Sequence, residues 1–93
     1  MRQLDGLKEK TNEELLAMYD RDRQLEVKQE LTLRYLYIAK AVAIQMHNLY
    51  ADFMQMEDII NEGAIAIMKG IERYDPERDN KFETFISRRI RGM

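Results

Sequence analysis

Asp58 and Glu62 stand four residues apart with Asn61 beside them, inside a stretch, 56–74, whose apolar residues recur at helical spacing. On a helix wound at about 100° per residue the three share one face. Paired carboxylates on one face can move a proton or hold a cation. The companions such a centre needs are missing from the sequence. There is no cysteine, and the single histidine, His47, falls near the end of a different helical stretch, where a cation suits the helix dipole. His47 therefore reads as structural, with no thiolate or second imidazole for a metal. Asp75, Glu77 and Asp79 imitate the first three ligands of a calcium loop. That loop wants glycine where Asn80 stands and a bidentate glutamate where Ile86 stands, so calcium is rejected. No nucleophile–base pair and no glycine-rich phosphate loop is present. The expectation is a protein that is no enzyme and uses no metal or cofactor.

The same face carries Lys69, Glu72 and, in its middle, Ile65, with Met68 at the edge. A large aliphatic among carboxylates has two readings. It is a lone exposed apolar residue, which is common, or it is the anchor of a partner-binding patch rimmed by Asp58, Asn61 and Glu62. The opposite face gathers Ile59, Ile60, Gly63, Ile67, Gly70, Ile71 and Tyr74 into a stripe wide enough for a core. Each glycine costs on the order of 1 kcal/mol in a helix relative to alanine, which close helix–helix approach would offset.

Around this stretch the chain supplies one domain of 93 residues, with room for a modest core. A hydrophobic share of 45% beside 34% charged residues marks a folded, soluble chain rather than a disordered one. The absence of cysteine fits a reducing, cytoplasmic location. The N-terminus has no secretory pattern, and no run reaches the roughly 18 apolar residues of a membrane span. Net charge is −2, which argues against non-specific nucleic-acid coating. It is unevenly distributed. Asp52, Glu57, Asp58 and Glu62 lie between Tyr50 and Met68 without a basic residue, whereas Arg78, Lys81, Arg88, Arg89 and Arg91 crowd the end.

Read in order, residues 1–10 form a polar, flexible leader and 11–93 the helical domain. Thr11 to Glu14 reads as a capping box opening a short helix with Leu15, Leu16, Met18 and Tyr19. A charged joint, 20–23, leads to a long helix from about Gln24 to Asn48, supported by Glu30 and Arg34 at i,i+4. Between Tyr35 and Met46 only Lys40 and Gln45 are strongly polar, so this helix should be central and covered by its neighbours. Residues 49–55 connect to the 56–74 helix, which ends at Asp75-Pro76. Asn80 to Glu83 reads as a second capping box. Its helix repeats Phe82, Phe85, Ile86, Ile90 and Met93 on one face, with Arg89 at the margin and Arg88 and Arg91 elsewhere. Arginines in a last turn also suit the helix dipole. The fold class is all-α, three main helices plus a short N-terminal one. Its core should bring Leu36, Ile38 and Val42 against Ile60, Gly63, Ile67 and Ile71, closed by Phe82, Phe85 and Ile90.

The runs Asp58-Ile59-Ile60-Asn61-Glu62-Gly63, Ile65 through Ile71, Arg73-Tyr74-Asp75-Pro76, Phe82-Glu83-Thr84-Phe85 and Arg89-Ile90-Arg91-Gly92 resemble conserved region 2 of the sigma-70 family. The similarity spans roughly residues 31–93 and is nearest in flavour to the motility and sporulation class of alternative sigma factors. In that family the helix equivalent to 56–74 docks on the coiled-coil clamp helices of the largest catalytic RNA polymerase subunit. The resemblance implies that Asp58, Asn61, Glu62 and Met68, with Ile65 among them, face that clamp. It implies a DNA-facing role for Arg88, Arg89 and Arg91, two of which occupy the place of the tryptophan pair used by housekeeping members. Asn61 replaces their glutamine, Ala64 their frequent asparagine and Asp79 the usual turn glycine.

The function expected is a transcription initiation module that binds polymerase core and contributes to promoter placement in DNA-dependent transcription. Promoter DNA would be a partner only in a full-length context, because the chain stops at Met93, C-terminally incomplete within region 2, as a fragment or else a natural split sigma protein. An anti-sigma factor is a further partner on this reading; a membrane is not. The alternative is a helical interaction module, a sigma mimic or anti-sigma target, without DNA recognition.

Overall fold

The computed structural model describes residues 6–50, 55–78 and 80–92, with the backbone alone at 49 and 50. Among these residues the regular elements are helices: α1 (Asn12–Asp22), α2 (Leu25–Tyr50), α3 (Met56–Arg73) and α4 (Phe82–Arg91). The fold is all-α, as the periodicity requires. Met93, Asp79 and the expected link at 51–54 lie outside the described residues, as do the first five residues of the leader.

α1 starts where the local chemistry dictates. The Thr11 amide donates to Glu14 Oε1 at 2.8 Å and the Glu14 amide to Thr11 Oγ1 at 3.1 Å, a closed capping box. The bond from the Thr11 amide is also the main reason the Glu14 carboxyl sits below the usual carboxylate range. The charged joint is shorter than expected, since α1 runs through Asp22 and only Arg23, at φ 55°, turns left-handed to cap it. The Arg23 amide closes the helix on the Tyr19 carbonyl at 2.9 Å.

α2 is the spine, and α3 lies along it as its main neighbour, with α1 and α4 closing the same side. Val27, Leu31, Tyr35, Ile38, Ala39, Val42 and Ala43 are its buried residues, in a core with Leu15, Leu16 and Tyr19 of α1, Ile59, Ile67 and Ile71 of α3, and Phe82, Ile86 and Ile90 of α4. Gly63 permits the closest approach. A carbon added at its Cβ position would stand 2.6 Å from Ala39 Cβ, far inside contact distance. Gly70 does the same for α4, facing Ile86 and the stem of Arg89. Tyr35, Tyr74, Phe82 and Phe85 stack into one aromatic cluster, with Tyr35 and Phe82 centroids 4.7 Å apart and Tyr74 edge-on to Phe82 at 5.0 Å.

Several expectations need correction. Leu36, Ile60 and Phe85 are half-buried rather than central; Ile59, one position earlier on α3, fills the place expected of Ile60. The long helix is not covered all round. Leu33, Tyr37 and Ile44 are 65%, 60% and 54% exposed, because α1, α3 and α4 all pack on the opposite side of α2. α4 begins at N-cap Lys81 without a side-chain cap, so the second capping box does not form. The Asn80 carbonyl instead accepts a 2.7 Å bond from the Tyr74 hydroxyl.

The described end of the leader is not loose either. Gly6 and Leu7 are helical, Leu7 is buried, and Arg34 reaches across to hold the segment. Its guanidinium donates to the carbonyls of Lys10 at 2.7 Å, Leu7 at 3.0 Å and Lys8 at 3.3 Å. It also donates to Asn12 Oδ1 at 2.9 Å and, through Nε, to Glu30 at 2.9 Å. The i,i+4 pair expected on α2 is thus the base of a longer-range clamp.

Candidate functional site

The inward pinning of Ile59, Gly63, Ile67, Gly70 and Ile71 decides what α3 shows to solvent. Asp58, Asn61 and Glu62 are exposed on the far side, and Ile65 stands among them at 43% exposure. Met68 is half-buried at the edge. One face therefore brings together all the residues expected for docking. Among the described residues neither Asp58 nor Glu62 has an ion-pair partner. Asp58, in the first turn, is partly explained by the helix dipole, whose effect fades beyond that turn. Glu62 and Ile65 lie past its reach, and among the described residues Glu62 has no ion-pair partner.

The other end of the helix is neutralised. Lys28 Nζ meets Glu72 Oε2 at 2.6 Å, and this bond holds the Glu72 carboxyl below the usual range while raising the Lys28 ammonium above its own. Arg23 donates to the Glu72 carbonyl at 2.8 Å, pairs with Asp20 at 3.8 Å and lies 5.0 Å over the Tyr19 ring. The corner between α1 and α2 thus grips the C-terminal end of α3, a carbonyl that the helix itself leaves open. Unpaired acid is confined to the N-terminal half of α3. Sequence reasoning missed Arg23 and Lys28 in this role; the only signal was the density of charge at the joint.

α4 separates the three candidate arginines. Arg88 and Arg91 are exposed and line, with Glu83, Thr84 and Ser87, an open concavity of about 350 Å³. Arg89 is half-buried over Gly70, its Nε enclosed without a hydrogen-bond partner. The first pair is the more exposed to solvent. Glu83 accepts a 3.3 Å bond from the Tyr35 hydroxyl, whose pKa is raised first by burial and then by that carboxylate. Among the described residues no group of three or more histidine, cysteine or carboxylate side chains is placed to hold a metal. Nor is any helix long and apolar enough to cross a membrane.

Comparison with known proteins converges on one family. A family model described as sigma-70 region 2 matches residues 32–93. The RNA polymerase sigma factor FliA of Pseudomonas aeruginosa is 28% identical over 77 residues, 83% of this chain and 31% of its own length. The chloroplastic RNA polymerase sigma factor sigD of Arabidopsis thaliana is 27% identical over 81 residues, 87% of this chain and 17% of its own. FliA of Escherichia coli K12 is 28% identical over 65 residues, covering 70% of this chain and 27% of its own. The chain spans less than a third of the length of these relatives. No solved structure gives a significant match.

Proposed function

The chain belongs to the sigma-70 family, in its region 2, and on that premise we propose that it is a transcription initiation module that docks on RNA polymerase core through the outer face of α3. The partner surface is the coiled-coil clamp of the largest catalytic subunit. Asp58, Asn61, Glu62 and Met68 surround Ile65 in the contact. The observation that carries this reading is Ile65, exposed on the family-matching helix and rimmed by carboxylates that no residue described in the domain neutralises. An apolar anchor desolvated at the centre supplies affinity, and rim carboxylates facing a basic coiled coil supply orientation and association rate. Arg88 and Arg91 are the groups on α4 available to a DNA backbone; Arg89 acts through packing.

Capture of the domain by a clamp-helix fragment tests the assignment. The double variant Asp58→Lys with Glu62→Lys, and separately Ile65→Glu, should each lose at least about tenfold in affinity, the equivalent of roughly 1.4 kcal/mol, while circular dichroism stays unchanged. Parent-like capture by both folded variants overturns the interface.

A further inference from the structure

We propose that residues 6–10 form a strap that lifts off as a unit while α1 to α4 stay folded, and that its lifting opens a trough between α1 and α2. The way the strap is attached permits this. Its backbone bonds are its own, from the Glu9 amide to the Gly6 carbonyl at 3.2 Å and from the Lys10 amide to the Leu7 carbonyl at 3.1 Å. Among the described residues no backbone hydrogen bond joins it to α1 or α2. Side chains hold it instead. Leu7 is 4% exposed, the Arg34 guanidinium donates to three of its carbonyls, and Lys8 lies 4.0 Å from Glu30. Lys8, Glu9 and Lys10 are themselves exposed.

Leu7 is a plug with space on both sides. One concavity, of about 230 Å³, reaches from it past Glu30 to Leu33 of α2. The other, of about 170 Å³, reaches from it to Met18 of α1. Leu7 and Glu26 line both, so withdrawing Leu7 joins them into one trough crossing Glu26. Lifting the strap strands no buried charge, because Arg34 keeps Glu30 and the Asn12 side chain as partners. α1 keeps its start, because the capping box closes between Thr11 and Glu14, beyond the strap. One buried apolar side chain and no shared backbone ladder place the segment at the low end of local stability. The strap precedes the residues matched to region 2 and uses none of those proposed for polymerase docking. It therefore stands or falls independently of that reading.

The sequence contains no cysteine, so a single introduced thiol reports its own site. Leu7→Cys reports the strap, and Leu15→Cys, at a position 0% exposed in α1, reports the domain. The rate of alkylation by iodoacetamide is measured for each and divided by its rate in the urea-unfolded chain. The Leu7→Cys thiol should react at least about a hundredfold faster than the Leu15→Cys thiol, with little dependence on urea below the unfolding transition. Cysteine is a smaller plug than leucine, so the parent chain supplies a second measurement. Its Glu9 and Lys10 amides should exchange hydrogen more slowly than an unfolded peptide, yet at least about a hundredfold faster than amides in the middle of α2. Equal protection and equal urea dependence of the two thiols overturns the proposal, as do Glu9 and Lys10 amides as slow as those of α2, because the segment would then leave only with the fold. Exchange of those amides at the unfolded rate overturns it from the other side, because no seated strap would exist to lift.

Discussion

Gly63 and Gly70 sit two turns apart on the same stripe of α3, yet a side chain at each would meet different resistance. At Gly63 the obstacle is Ala39 Cβ at 2.6 Å with the Ala39 Cα at 3.4 Å behind it, atoms that move only if α2 moves. At Gly70 the obstacles are the terminal methyl of Ile86 and the Arg89 stem, Cδ at 3.3 Å, which can rotate or slide aside. Alanine recovers about 1 kcal/mol of helix propensity at either position, and overpacking costs about 1–3 kcal/mol. Gly63→Ala should therefore be net destabilising and Gly63→Val more so, whereas Gly70→Ala should fall near neutral. Thermal melts of the three variants decide it; a Gly63→Val domain melting with the parent would mean that the α2–α3 crossing is looser than its geometry implies. Both glycines were readable as packing positions from the helical wheel. Which of them faces backbone and which faces a flexible side chain was not, because that depends on the partner helix.

At the level of elements, the clearest coupling is the Arg34 clamp, in which one guanidinium serves the carbonyls of Leu7, Lys8 and Lys10, the Asn12 side chain and Glu30. Lysine keeps the charge but not the planar fork, so Arg34→Lys should forfeit about 1–3 kcal/mol of charge-assisted bonding. It should also speed hydrogen exchange at the Glu9 and Lys10 amides, which bond to Gly6 and Leu7 carbonyls at 3.2 and 3.1 Å. Parent-like protection of those amides would show that buried Leu7 alone holds the segment. Elements whose chemistry is local were legible in the sequence: the Thr11–Glu14 box closes within one turn, and Asp75-Pro76 ends α3. Long-range pairings were not. Nothing in the local pattern tells that Arg34 reaches Leu7, that Lys28 finds Glu72, or that Tyr74 takes up the Asn80 carbonyl. The outer stripe of α2 was misjudged for a related reason. Hydrophobic content indicates that a helix wants cover, but not whether its three neighbours stand on one side.

At the scale of the whole molecule, α2 and α3 form a double layer whose two outer faces differ in chemistry: acid around Ile65 on α3, and Leu33, Tyr37 and Ile44 around Lys40 on α2. That the residues proposed for docking share one exposed face was legible, because they lie on one helix with one periodicity. The division of the arginines was not, since it depends on Arg89 folding over Gly70. That division limits what the domain can do with DNA. Reading single-stranded bases takes aromatic platforms beside a basic groove, and stacking contributes roughly 1–3 kcal/mol per base. The α4 aromatics are committed elsewhere, Phe82 buried against Tyr35 and Phe85 held at 5.2 Å from Tyr74. Arg88 and Arg91 remain, and Glu83 beside them subtracts from their field. This polypeptide alone should thus bind single strands weakly and without sequence preference. Two phosphate contacts give a salt slope of only about −1.4 on a log–log scale, at about 0.7 per contact for single strands. Fluorescence anisotropy with a promoter-strand oligonucleotide and a scrambled one, at two salt concentrations, measures both quantities. Arg88→Ala with Arg91→Ala should flatten the slope towards zero, whereas Arg89→Ala should leave it intact and lower the melting temperature instead. Discrimination between the two oligonucleotides at moderate salt would place base-reading groups on a face other than α4, with the exposed ring of Tyr37 the first to test.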